Sequence, residues 1–116
     1  MGTSKRRHPR VAANIQVDVR TEDGQIVSTE RIRNISLGGV FIEMAAPLPF
    51  GAEVALEFTL PVAPRGIRCK GFVVWSTRTA PERGQGHEGI GVRLMDIGIS
   101  EMRTLAEFIE HELAPL

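Results

Sequence analysis

Three arginines fall within five residues, Arg6, Arg7 and Arg10, in the stretch "RRHPR". A guanidinium is planar and always charged. Its rigid fork of donors grips a phosphate, or the O6/N7 edge of a guanine, through two bonds, and its face lies flat on a purine. The Arg6-x-x-x-Arg10 pair could therefore grip a phosphate or a guanine edge, or stack on a purine. Pro9 fixes its own φ and disfavours helix at the residue before it, so the segment should run extended and be able to lie across a neighbouring surface. A solvated charged tail has the same composition, so the cluster gains meaning only from a second feature.

That feature is Asn34-x-Ser36-x-x-Gly39, inside "RNISLGGVFIE". Asn and Ser both donate and accept hydrogen bonds. Gly38 and Gly39 allow positive φ and close approach by a ligand. Taken alone, the same residues describe an ordinary polar turn between strands. Charge placement sharpens the first motif. The chain has a formal net charge of zero, with 14 basic and 14 acidic side chains. Yet residues 1–10 hold Lys5, Arg6, Arg7 and Arg10 with no acid, and residues 96–116 hold five acids against Arg103. A basic arm and an acidic C-terminal segment are hidden by the total.

Other chemistries lack their residues. His8, His87 and His111 lie far apart, and no HExxH or CxxC pattern occurs. The single Cys69 alternates with apolar neighbours and reads as a buried thiol, and with one cysteine no intrachain disulfide forms, which fits a reducing cytoplasm. No phosphate-cradling GxxxxGK[ST] or GxGxxG loop is present. "GQGHEGIG" precedes a strand and reads as a hairpin connection, with His87 and His111 as solvated surface residues. No apolar run approaches the roughly 18 residues of a membrane span. "MGTSKRRHPR" lacks the apolar centre of a secretory signal, and Arg6 stands where N-myristoylation wants Ser or Thr. The expectation is a cytoplasmic, non-enzymatic protein without a cofactor.

The elements that must position these motifs are strands. Ile15, Val17 and Val19 alternate with polar residues, and Asp23-Gly24 marks a hairpin turn. Further strands are predicted over 26–35, 40–44, 53–60, 67–77 and 89–95, with Cys69, Gly71, Val73 and Trp75 on one side of the fifth. After Asp96 the period changes. Met102, Leu105, Ala106, Ile109 and Leu113 follow helical spacing, with Ser100 as N-cap and Pro115 beyond the end. The fold class is mostly β, with six antiparallel strands closing into a small barrel or sandwich and a C-terminal α-helix able to plug one end. At 116 residues this is one domain. It divides into a flexible basic arm at 1–10, a barrel at 11–98 and a helix at 99–114.

Both motifs together, in this order and on this strand layout, resemble the PilZ domain family, bacterial receptors for cyclic di-GMP. That family carries RxxxR near the start of its barrel and [D/N]xSxxG some 20 to 30 residues later. "RRHPR" and "NISLGG" match both in full. "VVW", "GIGVRLMD" and the terminal helix extend the likeness over essentially the whole chain. The resemblance implies a six-stranded antiparallel PilZ-type barrel and cyclic di-GMP as ligand. Arg6 and Arg10 would hold phosphates and guanine edges or faces, with Arg7 as an auxiliary contact. Asn34 and Ser36 would hydrogen-bond around one guanine, and Gly38 and Gly39 would keep the turn tight. Lys5 occupies a position associated with binding one ligand or a stacked pair. Trp75 falls where several members place an aromatic residue near the ligand, although its alternation with Val73 also fits a core tryptophan. The implied mechanism is an arm that orders over the barrel on binding and presents a new surface to a downstream protein.

Two rival readings stand beside this one. A PilZ-like adaptor that works only through protein contacts typically lacks the motifs, which are intact here. A barrel for single-stranded nucleic acid needs stacking aromatics on a basic face, whereas this chain has no tyrosine and one tryptophan. Direct nucleic-acid binding and membrane association are therefore not expected, and the protein is expected to be a monomer or weak dimer.

Overall fold

Residues 9–61 and 66–113 are described by the computed structural model. Lys5, Arg6 and Arg7, with most of the arm, lie outside the described residues, as does Ala114. Six strands run in chain order: β1 Val11–Thr21, β2 Val27–Ile35, β3 Gly39–Glu43, β4 Glu53–Thr59, β5 Gly66–Ser76 and β6 Gly89–Met95. A short 3-10 turn, Pro81–Gly84, precedes β6, and the helix α1, Ile99–Leu113, follows it. The strands close into an antiparallel barrel in the order β1-β2-β3-β6-β5-β4, with β4 returning to β1.

Period-two alternation builds this barrel, because successive strand residues point to opposite faces. On β4, Val54, Leu56 and Phe58 are buried while Glu53, Ala55, Glu57 and Thr59 are exposed. The inward residues line up across strands. Val11 pairs with Ile35, Ile35 with Val40, Val40 with Val92, and Val92 with Val73. A second inward row joins Ile15, Ile32, Ile42, Ile90 and Ser76. All but Ser76 are β-branched, which suits a pleated, crowded interior.

The number of residues between these two rows differs from strand to strand. On β3 and β6 one outward residue separates them, Phe41 and Gly91. On β2 there are two, Arg33 and Asn34, and on β5 two, Val74 and Trp75. On β1 there are three, Ala12 to Asn14. The register shifts recorded between Ala12 and Ile15, Ile32 and Asn34, and Val73 and Trp75 are these extra residues. Each is a β-bulge that re-aims a side chain while both flanking rows stay in the core. The bulge on β5 overturns the reading of Trp75 as a core residue on the side of Cys69, Gly71 and Val73. Beyond Val73 the strand gains a residue, and Trp75 faces outward.

Leu105, Phe108 and Ile109 of α1 join the same buried cluster as the inward strand residues. In a closed barrel those residues can be reached only through an end, so the helix plugs it. The N-cap lies two residues before the expected Ser100. Gly98 accepts the first helical bond, from the Met102 amide at 2.8 Å, so Gly98 takes the N-cap position and Ser100 lies inside the first turn. Cys69 is buried inside the barrel, and burial, followed by the Glu101 carboxylate, pushes its thiol up to about 11. It stays protonated at neutral pH and is not a nucleophile. No helix among the described residues is long and apolar enough to cross a membrane.

Leu105 is completely buried at the plug. Leu105→Ala should cost about 2–5 kcal/mol of stability, read as a lowered urea midpoint. A midpoint within about 0.5 kcal/mol of wild type would mean that the helix does not close the barrel.

Candidate cyclic dinucleotide cleft

The bulges gather one outward row. Ala12 pairs with Asn34, Asn34 with Phe41, Phe41 with Gly91, and Gly91 with Trp75, across five adjacent strands. Gly91 is the gap in this row. Added there, a Cβ would overlap the indole Nε1 of Trp75, so only glycine lets the ring lie down over β6. The indole reaches Phe41 on β3, with ring centroids 5.4 Å apart and planes at 13°. Phe41 is buried beneath it although it faces away from the barrel interior. The result is an aromatic floor on the outside of the barrel.

Above this floor opens a cleft of about 620 Å³, within the range of roughly 300–1,000 Å³ usual for small-molecule sites. Arg10, Val11 and Ala12 form one side, and Arg33 and Asn34 the next. Phe41 and Trp75 lie between them and the turn residues Arg83, Gly84, Gln85 and His87. Among the described residues that line it, three are arginines and none is a carboxylate. This is a cationic cleft on a chain of zero net charge, suited to attracting an anion locally.

The two sequence motifs meet here. The Arg10 Nη1 donates to Asn34 Oδ1 at 2.8 Å, joining residues 24 apart in the chain. Asn34 is held outward by the β2 bulge, and the residue before it, Arg33, is turned outward with it. Arg33 is fixed by its surroundings: Nε lies 3.5 Å from Glu43 Oε1, and Nη2 lies 3.4 Å from His87 Nε2. His87 Nδ1 in turn lies 3.4 Å from Glu43 Oε2. A ring protonated on Nδ1 satisfies both contacts, donating to Glu43 and accepting from Arg33.

Ser36, Gly38 and Gly39 do not line the cleft. Ser36 is buried, and its Oγ accepts the amides of Gly38 at 3.2 Å and Gly39 at 3.1 Å. The hydroxyl also donates to the Gly39 carbonyl, 3.2 Å away, while the Ser36 amide bonds that same carbonyl at 2.8 Å. This serine ties the β2–β3 turn together. Gly39 is required for close approach: a Cβ there would stand 2.6 Å from the Val92 carbonyl oxygen on β6. Its backbone is not left-handed, so the conformational freedom expected from the sequence is not what this position uses. Of the expected site residues, the structure brings Arg10, Asn34 and Trp75 into one cleft.

Arg33, Phe41, Arg83, Gln85 and His87 were not singled out from the sequence. Arg33 adjoins Asn34, and that adjacency on a strand would normally send it to the opposite face. Residues 80–88 read as a hairpin connection, and they do join β5 to β6. They also build a wall, and His87 is half-buried in it instead of being a solvated surface residue.

Gly91→Ala should push the indole off β6 and cost about 1–3 kcal/mol. The fluorescence of the single tryptophan should shift to the red. An unchanged spectrum would contradict the packing of Trp75 on Gly91.

A family model described as PilZ domain matches residues 4–111. No curated protein matches the chain. Among solved structures, the inhibitor of motility MotI/DgrA of Bacillus subtilis is similar at 20% identity with a TM-score of 0.74. That match covers 96% of this chain and 53% of the other, so the chain spans about half the length of the Bacillus protein. The PilZ domain of CeSA from a cellulose-synthesizing bacterium is similar at 22% identity and a TM-score of 0.60, covering 90% of this chain and 94% of that one. The PilZ domain of YcgR from Escherichia coli, whose structure is with c-di-GMP, is similar at 15% identity and a TM-score of 0.67, covering 94% and 92%. At these identities the structures establish the shared barrel. With the family model spanning nearly all of the sequence, the chain belongs to the PilZ domain family.

Proposed function

We propose that this protein is a cyclic di-GMP receptor that binds the dinucleotide in the cleft and passes the signal to a protein partner. One observation carries the reading: Arg10 and Asn34, from separate motifs, meet at 2.8 Å at the edge of an arginine-lined cleft with an aromatic floor. A dianionic ligand with two guanines asks for cations, for edge donors and acceptors, and for stacking surface, and each is present. Arg10 and Arg33 face the phosphates or guanine edges, Asn34 hydrogen-bonds a guanine edge, and Trp75 borders a base. Ser36, Gly38 and Gly39 serve by holding the turn that follows Asn34. Arg6, with Arg7 and Lys5 beside it, completes the grip from the arm, which closes over the bound nucleotide. Similarity to the YcgR domain, whose structure is with c-di-GMP, supports this reading.

The reading makes the protein a receptor with no catalytic step. A hydrogen bond to a charged group is worth about 1.5–3 kcal/mol. Arg10→Ala and Asn34→Ala should therefore each weaken cyclic di-GMP binding about tenfold or more, measured by calorimetry. Absence of heat with wild type, or unaltered affinity in both variants, would overturn the reading.

A further inference from the structure

Arg83 stands where a ligand base would meet Trp75. Its guanidinium carbon lies 5.6 Å from the indole centroid, within the reach of about 6 Å for cation–π attraction. The side chain is exposed, and no carboxylate among the described residues pairs with it. Its backbone is anchored. The Arg83 amide bonds the Ala80 carbonyl at 3.0 Å, and the His87 amide bonds Gly84 at 3.0 Å. Gly84 is buried so closely that a Cβ would meet Thr77 Cγ2 at 2.7 Å. Gln85, which ends the turn, is held left-handed at φ 50. The turn from Pro81 to Gly84 is thus a fixed post, and from it one exposed cationic side chain reaches over the indole.

Resting on the cyclic di-GMP reading, we infer that Arg83 and Trp75 form a clamp that takes one purine base between guanidinium and indole. A base held between two planes needs about twice the stacking rise of roughly 3.4 Å. The guanidinium carbon, 5.6 Å from the indole centroid, leaves no room for a base beneath it as it stands, and a side chain with four torsions can open that gap with its backbone fixed. The indole cannot retreat, because Gly91 and Phe41 lie beneath it. The base therefore enters by lifting Arg83, which then covers the outer face of the base. Stacking accepts any base, because every base presents a π-face. The clamp supplies affinity, and selection of guanine falls to edge contacts at Arg10 and Asn34. A loop that reads as a plain connection thereby becomes part of the site.

The test is calorimetric titration of cyclic di-GMP into wild type, Arg83→Ala, Arg83→Lys, Trp75→Leu and the Arg83→Ala/Trp75→Leu double variant. Because Arg83 is exposed, its replacement leaves the fold intact, which circular dichroism would verify. Arg83→Ala should weaken binding at least about fivefold. Arg83→Lys should recover less than half of that loss, since lysine keeps the charge and lacks the plane. The two single losses should be non-additive, because both residues act on one base. Unchanged or tighter binding in Arg83→Ala would overturn the clamp, as would full rescue by lysine or strict additivity. Failure of wild type to bind would instead overturn the receptor reading itself, and the two failures are distinguishable.

Discussion

The architecture depends on one packing constraint: two partial rings of inward residues, all β-branched but Ser76, must both face the barrel interior. A one-residue slip in any strand would turn an apolar set into solvent. The strands nevertheless carry unequal numbers of residues between the rings, one on β3 and β6, two on β2 and β5, and three on β1. Bulges absorb the difference, and the surplus residues have only the outer surface to occupy. Arg33, Asn34 and Trp75 face outward, half-buried, on one side of the barrel for that reason. The site is thus a by-product of register conflict, held in place by the core that causes it.

The electrostatics follow from the same geometry. Adjacent strand residues normally diverge, yet the β2 bulge lets both Arg33 and Asn34 line the cleft, where Asn34 meets Arg10. Glu43 and His87 then fix Arg33 at the cleft margin through contacts of 3.4 to 3.5 Å. Positive charge is concentrated locally, which suits a small anion better than a long polyanion that would need a broad basic face. Ser36 contributes indirectly. Its hydroxyl satisfies two amides of the turn, so Asn34 is followed by a rigid connection to β3.

Much of this was legible in the sequence. Strict alternation in "EVALEFTL" and the switch to helical spacing after Asp96 defined the barrel and helix, because period alone decides which residues can share a face. The motif residues Arg10 and Asn34 could be named from the chemistry of their side chains. The bulges were not legible. Nothing in "GFVVWS" announces an extra residue, so alternation from Val73 placed Trp75 in the core. The wall built by Arg83 and His87 was also hidden, because glycine and charge in "APERGQGHE" are what any surface connection carries. Contacts such as His87 to Glu43, 44 residues apart, exist only once β3 and β6 are paired. The role of Ser36 escaped for a related reason: its residue type does not say whether a hydroxyl faces a ligand or its own turn.

Trp75 is the single tryptophan, and its indole N–H gives one isolated nuclear resonance at the floor of the cleft. Cyclic di-GMP titration followed at that resonance and at the Asn34 side-chain amide tests the account directly. Both should shift saturably, with the affinity that calorimetry measures. Calorimetric binding that leaves both resonances unmoved would place the ligand elsewhere and contradict the account.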